Sequence, residues 1–360
     1  MRQVGQSIRF LKTPDGVTIA WADAGEGPAL VKVANWLSHL EYDWDSPCWR
    51  HWMRFFADNF RFIRYDERGC GMTDWDVEDL SPVRWIEDLD AVVGKARPQE
   101  PFILLGVSQG TAAAVQFAAL HPDKISHLIL YGGYAEGWKF RENAAGRRAY
   151  EATVELARFG WGADNPVFRQ LFTSRFIPDA TEEQIAWFNE LCRRTTRPEI
   201  AARLLQARSE VNVTEYLPRV QTRTLVIHAG DDEVVPLSAG RRLASEIPNA
   251  EFVQLDSRNH ILLESEPAWE RFREIVLQFT GRPQGDARAE DPVFRELSDR
   301  ERQILARMCS GASNAKIGRA LFISDKTVRN HVTRIFEKLG VSSRAQAIVL
   351  AHEKGFRGDD

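Results

Sequence analysis

Cysteine is scarce: four residues in 360, Cys48, Cys70, Cys192 and Cys309, all far apart. That spacing excludes a disulfide framework and a thiolate metal site, and it fits a reducing cytosol. Long apolar runs are missing too. None approaches the ~18 residues that a bilayer crossing takes, and the opening MRQVGQSIRF has no apolar signal core. A soluble, cytoplasmic protein with no membrane partner is expected. There is no internal repeat and no low-complexity tract, which sets aside repeat architectures. Nor is there a large net charge: 47 Lys+Arg against 51 Asp+Glu leave −4, which excludes a chain that coats nucleic acid along its whole length.

What is present is a globular composition, 44% hydrophobic and 27% charged, on a chain long enough for two units. The charge is unevenly spread. Thirteen basic and eight acidic residues put Arg295–Asp360 at +5, leaving the preceding residues at −9. An acidic body with a basic tail is the first functional clue. In the body, β-type runs at Val17–Ala22, Ala29–Ala34, Phe60–Arg64, Phe102–Leu105 and His127–Tyr131 are interleaved with amphipathic stretches such as Cys48–Ala57 and Ser81–Ala96. That alternation predicts an α/β fold, a parallel sheet covered on both faces. Residues 133–218 lose the strand signal and become helical and aromatic. Strands return at Thr224–His228 and Glu251–Leu255, followed by a helix at Pro267–Phe279. The helical block therefore reads as an insertion within one domain, residues 1–280. A Gly-, Pro- and charge-rich linker over 281–293 leads to a small all-helical domain, 294–360.

Three residues in the body carry chemistry. The apolar strand ending Leu105-Gly106-Val107-Ser108-Gln109-Gly110 runs straight into a helix. A serine raised on so sharp a strand-to-helix turn crowds the backbone on both sides, which is where glycine avoids clashes. Asp231 and Asp232 follow a second buried strand, and His260 lies in the loop after the last one. Parallel strands end on one edge of a sheet, so Ser108, an aspartate and His260 can converge there.

The G-x-S-x-G turn and the chain order Ser…Asp…His resemble the α/β-hydrolase superfamily over residues ~8–280. The resemblance implies Ser108 as nucleophile, His260 as general base and Asp232, four positions before Pro236, as the orienting acid in preference to Asp231. It further implies backbone oxyanion donors at Gln109 and Trp36, although the family's usual His-Gly is replaced here by Ala34-Asn35. Asp66-x-x-Gly69-x-Gly71 resembles the family's structural turn and is given no catalytic role. His121, His127 and His228 read as structural, His39 and His51 as lesser candidates for pocket lining. No metal or cofactor is called for.

The tail opens with Ser298-x-x-Glu301, a capping box, and an apolar stripe at Ile304, Leu305 and Met308. A second helix is capped by Ser313, with Ile317, Ala320 and Leu321 on one face. Phe322-Ile-Ser324 turns into a third, Asp325–Leu339, whose stripe is Val328, Val332, Ile335 and Leu339. Its other face shows Lys326, Arg329, Asn330, Thr333 and Arg334. Two short helices joined by a tight turn, the second polar and basic outward, describe a helix-turn-helix. From Leu297-Ser-Asp-Arg-Glu301 through Lys338-Leu-Gly-Val-Ser-Ser-Arg344 the segment resembles the LuxR/NarL-type DNA-binding domain, over residues ~294–354. That resemblance implies double-stranded DNA as partner, base contacts from Arg329, Asn330 and Thr333, and phosphate contacts from Lys326, Thr327, Arg334, Lys338 and Arg344. It also implies a homodimer, associated with the nucleoid when bound.

The combination predicts a one-component transcription regulator whose hydrolase-like body binds a small apolar ligand, with or without hydrolysing it. The alternatives are a serine hydrolase of esters, lactones or amides with an accessory DNA-binding tail, and a non-catalytic sensor with an idle triad. Asp66, just after a strand, also raises a receiver domain, but the body is about twice a receiver's length and carries a nucleophile turn that a receiver does not need.

Overall fold

The computed structural model describes residues 5–140, 144–164, 166–282, 292–294, 296–321, 323–354 and 356. These fall into two compact units, one running to Arg282 and one taking in the described residues from Pro292 onward. Most of the expected linker lies outside the described residues, as does Phe322 of the expected turn. Among the described residues no helix is long and apolar enough to cross a membrane.

The first unit is an eight-stranded sheet in the order β1-β2-β4-β3-β5-β6-β7-β8. Its strands are β1 (Ser7–Lys12), β2 (Thr18–Ala24), β3 (Ala29–Lys32), β4 (Arg61–Tyr65), β5 (Phe102–Val107), β6 (Ile125–Tyr131), β7 (Thr224–Ala229) and β8 (Ala250–Leu255). β1 and β2 pair antiparallel with their neighbours, and every pairing from β4 to β8 is parallel. β1 has no counterpart among the expected strands. It is a largely exposed edge strand, so it lacks the apolar alternation that a half-buried strand shows. The central strands β3, β5 and β7 are buried along their whole length, as a sheet covered on both faces requires.

The covering helices are α1 (Leu40–Trp44), α2 (Arg50–Asn59), α3 (Pro82–Ala96), α4 (Gly110–Leu120), α9 (Leu237–Glu246) and α10 (Pro267–Phe279). Between β6 and β7 lie α5 (Ala144–Gly160), α6 (Val167–Phe176), α7 (Glu182–Thr195) and α8 (Pro198–Ser209), which form the cap. Part of the cap's aromatic content is core: Trp161, Phe172 and Phe188 are buried, whereas Phe159 is 78% exposed. β3 ends two residues sooner than expected. Val33 N–H still donates to Leu105 O at 2.9 Å, and the chain then leaves the sheet through Ala34-Asn35-Trp36.

The second unit contains α11 (Asp299–Cys309), α12 (Asn314–Ala320), α13 (Asp325–Leu339) and α14 (Arg344–Glu353). Ser298, Ser313 and Ser324 each accept a backbone N–H three residues on, inside the helix they precede, which satisfies part of each first turn. Gly340 closes α13 with φ +65°. The core gathers Phe294, Leu297, Ile304, Leu305, Met308, Ile317, Val328, Ile335 and Leu339. Ala320, expected on the buried face of α12, is exposed. The interior position is Gly318, where a Cβ would lie 2.7 Å from Ile323 O, so only glycine lets the turn pass this close.

Candidate active site and nucleic-acid interface

β5 delivers its last residue, Val107, to the sheet edge, and Ser108 follows in a left-handed conformation, φ +52°. A non-glycine residue there is strained, and the turn is built to hold it. Ser108 N–H donates to Tyr131 O at 2.8 Å. A Cβ at Gly106 would lie 2.8 Å from Thr111 Cα, and one at Gly110 would lie 2.9 Å from Ala34 O. The flanking glycines are therefore steric requirements of the turn.

His260 Nε2 lies 2.9 Å from Ser108 Oγ, and His260 Nδ1 lies 2.6 Å from Asp232 Oδ2. With the proton on Nδ1 facing the carboxylate, Nε2 is left to accept the serine hydroxyl. Asp232 Oδ1 accepts Val234 N–H at 2.8 Å and Val235 N–H at 3.0 Å. Burial pushes the Asp232 carboxyl up, but His260 and these donors outweigh it and hold it below the ordinary value. All three side chains are buried. Asp231, the other acid, is exposed. The His260 loop is braced behind the site: Ser257 Oγ–H donates to Glu266 at 2.6 Å and accepts Asn259 N–H at 3.0 Å. The cap closes over the imidazole with the edge of Phe176, ring centres 5.2 Å apart.

The cavity beside Ser108 is walled by Trp36, Trp49, Phe176, Phe188 and Ile261, with Asn35 as its polar member besides Ser108 and His260. At about 10 Å³ it is no larger than a single water. Neither lesser histidine lines it. His39 caps α1 by accepting Tyr42 N–H, and His51 is buried with Nε2 2.9 Å from Leu262 O and its ring edge-on to Trp269. His228 is buried at the end of β7, bonded to Val235 O at 2.9 Å. Asp66 is structural as expected, accepting Leu40 and Met72 N–H.

The two expected oxyanion donors stand in a more elaborate setting than the sequence indicated. Trp36 N–H donates to the Gln109 side-chain oxygen at 2.9 Å. Gln109 Nε2 in turn donates to Glu67 Oε1 at 3.0 Å, and Glu67 Oε2 accepts Arg208 Nη2 of α8 at 3.0 Å. The Arg208 guanidinium lies 3.9 Å from the centre of the Trp36 ring. Neither Glu67 nor Arg208 was singled out from the sequence. Glu67 lies inside the turn after β4, and Arg208 in a helix without a motif.

In the second unit, α13 buries Val328, Ile335 and Leu339 and half-buries Val332, while Lys326, Arg329, Asn330, Thr333 and Arg334 are exposed. Arg329 pairs with Asp325 at 2.8 Å. Thr327 is half-buried and its hydroxyl lies 2.8 Å from Ser324 Oγ. Two residues expected to contact phosphate are occupied otherwise. Lys338 Nζ donates to Glu301 Oε2 at 2.7 Å and Glu296 O at 2.8 Å. Arg344 donates to Asn314 Oδ1 at 3.1 Å and Ala312 O at 2.6 Å. Both cations brace the ends of neighbouring helices.

A Ser–His–Asp constellation at the carboxyl edge of a mostly parallel sheet, roofed by a helical cap, defines the first unit as an α/β hydrolase. The four-helix unit that follows is a LuxR-type helix-turn-helix, a DNA-binding class. Comparison with known proteins agrees: residues 50–267 match the model for "Serine aminopeptidase, S33", and the chain belongs to that hydrolase family. Residues 295–351 match "Bacterial regulatory proteins, luxR family". Pyrrolizixenacetamide deacetylase of Xenorhabdus hominickii is 24% identical over 66% of this chain and 86% of its own length. The probable transcriptional regulatory protein NarL of Mycobacterium tuberculosis is 34% identical over 36% of this chain and 59% of its own. Among solved structures, an esterase from Exiguobacterium antarcticum superimposes with a TM-score of 0.64 at 22% identity, covering 76% of this chain and 98% of that one, and so shares the fold.

Proposed function

We propose that this chain is a one-component transcription regulator, in which the hydrolase unit binds and slowly hydrolyses a small apolar acyl compound and the LuxR-type unit binds operator DNA. The observation that carries the reading is the presence, on one chain, of a connected Ser108–His260–Asp232 hydrogen-bond line under an aromatic cap and a helix-turn-helix with an exposed basic and polar helix. In the reaction, Ser108 Oγ attacks the carbonyl carbon while its proton passes to His260 Nε2. The carbonyl pair moves onto oxygen as an oxyanion beside the Gln109 backbone N–H, with the Trp36 N–H, here bonded to the Gln109 side chain, as the second donor once it is released. Collapse expels the leaving group, which takes the proton from His260. A water then repeats the sequence on the acyl-serine and releases the acid. Asp232 stays ionised and fixes the imidazole. The aromatic walls favour an ester, lactone or amide with an apolar acyl part, and the names of the similar deacetylase and esterase denote acyl cleavage.

On the DNA side, Arg329, Asn330 and Thr333 read base edges while Lys326, Arg334 and Thr327 hold phosphates, in a homodimer addressing two half-sites ~34–36 Å apart. The expected domain limits, 1–280, 281–293 and 294–360, are retained as part of this reading. The test is paired: selection from randomised duplex DNA with the full chain, and turnover of an ester and lactone panel by the wild type and Ser108→Ala. Sequence enrichment together with Ser108-dependent turnover is expected. No enrichment would remove the regulator and leave the second reading, a serine hydrolase with an accessory tail, which the completeness of the Ser–His–Asp line favours. Turnover independent of Ser108 would remove the catalytic part.

A further inference from the structure

The geometry points to Gln109 as a latch that keeps one oxyanion donor occupied, with Glu67 and the cap residue Arg208 positioning it. This rests on reading Ser108–His260–Asp232 as a hydrolytic site. The Trp36 N–H leaves the end of β3 toward the nucleophile turn, and its hydrogen bond goes to the Gln109 side-chain oxygen at 2.9 Å. One N–H cannot serve that oxygen and a substrate oxyanion with good geometry at once. The Gln109 backbone N–H, at the N-cap just before α4, has no carbonyl of that helix behind it and is left to face an oxyanion. The hole in this arrangement therefore offers one donor where the chemistry asks for two.

Gln109 is not loosely placed. Its amide nitrogen donates to Glu67, and Glu67 is bound by Arg208. The residues in this line, Trp36, Gln109, Glu67 and Arg208, are all at least nine-tenths buried. Swinging Gln109 aside would leave a buried Glu67 oxygen without that partner, a costly state. Arg208 is the member that belongs to the cap, and its Nε and Nη1 are buried with no hydrogen-bond partner among the described residues. A shift of α8 would withdraw Arg208 from Glu67 and loosen the hold on Gln109. The site so arranged turns an acyl compound over slowly, which suits a receptor more than a scavenging enzyme.

The experiment uses the full chain, p-nitrophenyl acetate as turnover probe, and a fluorophosphonate read by intact mass to report whether Ser108 is a working nucleophile. Gln109→Leu fills a similar volume with no acceptor, and Gln109→Ala guards against misfit of the larger side chain. Removing a single oxyanion donor typically costs about 10²–10³ in kcat, so restoring one should raise kcat by about 10- to 1,000-fold with KM changed less than about threefold. Arg208→Met should raise kcat by a smaller factor, since Gln109 keeps its bond to Trp36. If Ser108 labels in wild type and variants while kcat of both Gln109 variants is unchanged or lower, the latch is wrong and the hydrolytic reading stands. If no form labels and none turns over, the hydrolytic reading falls and the latch with it.

Discussion

Asp232→Asn is the substitution on which the site geometry makes its sharpest statement. The introduced amide would keep the oxygen that accepts Val234 and Val235 N–H, because those donors fix that side of the group. Its NH₂ would then stand where Oδ2 is now, 2.6 Å from His260 Nδ1, and would donate to it. The imidazole proton would move to Nε2, facing Ser108 Oγ across 2.9 Å, and the base would be lost with little movement of any atom. A wrong tautomer of this kind costs about 10⁴ in kcat. At about 1.36 kcal/mol per decade that is about 5 kcal/mol of transition-state stabilisation. Asp231→Asn, on an exposed side chain next door, should stay within about twofold of wild type. The assay is the initial rate on p-nitrophenyl acetate, expressed as a ratio to wild type, with thermal unfolding run on each variant. Asp232→Asn within tenfold of wild type, or Asp231→Asn equally damaged, would refute the assignment of the acid.

Other outcomes follow from groups outside the triad. Burial, helped by the nearby Arg50 charge, lowers His51 to about 4, against the opposing pull of the Leu262 carbonyl. Its folded pKa lies below the unfolded value near 6.5, so the stability it contributes is complete above pH 6.5 and is lost as pH falls toward 4. Urea unfolding of the hydrolase unit should lose about 2–3 kcal/mol between pH 7.5 and 4.5 through this residue, and His51→Gln should flatten that slope. A slope unchanged in the variant would assign the loss elsewhere. Lys338→Ala should lower the melting temperature of the helix-turn-helix unit, since Glu301 is buried and loses its cation, while the salt dependence of DNA binding stays as in wild type. Lys326→Ala should instead reduce the slope of log K against log[salt] by about 0.9 without destabilising the unit, and the reverse pattern would restore Lys338 to the phosphates. Asn330→Ala should relax discrimination at one base pair by about 1–3 kcal/mol in competition binding, and a uniform loss across sequences would turn α13 the wrong way round.

The fold was legible where burial writes a period into the sequence. α10 and α13 stand at the expected residues, Pro267–Phe279 and Asp325–Leu339, because an apolar stripe and a terminal proline, serine or glycine mark both. β5 runs two residues past its expected end, through Gly106 to Val107, because the glycine interrupts the apolar run while the strand continues beyond it. β1 had no signal, since its pairing with β2 comes from backbone hydrogen bonds and only Leu11 is buried. Ala320 and Gly318 exchanged roles for a steric reason: a small residue is required where Ile323 O approaches, and a count of hydrophobic positions cannot see that approach.

At the site, Ser108, Asp232 and His260 were legible because each follows the end of a strand and a parallel sheet gathers such ends. Glu67, Gln109 and Arg208 meet by a different logic. Glu67 and Arg208 are 141 positions apart, one in a turn and one in a cap helix, and their contact is a compensated charge in the interior. A buried ion pair leaves no periodicity, and each partner alone looks like any surface residue on paper. The same ambiguity affects Lys338 and Arg344, where a basic side chain near the end of a helix fits a phosphate or a neighbouring helix end equally well. Only the acceptor decides, and here the acceptors are Glu301, Glu296 O, Asn314 and Ala312 O. The Ser–His–Asp line could thus be read from order and spacing. Those around it, which hold one N–H or one cation in place, become visible only when the chain has folded and brought both partners together.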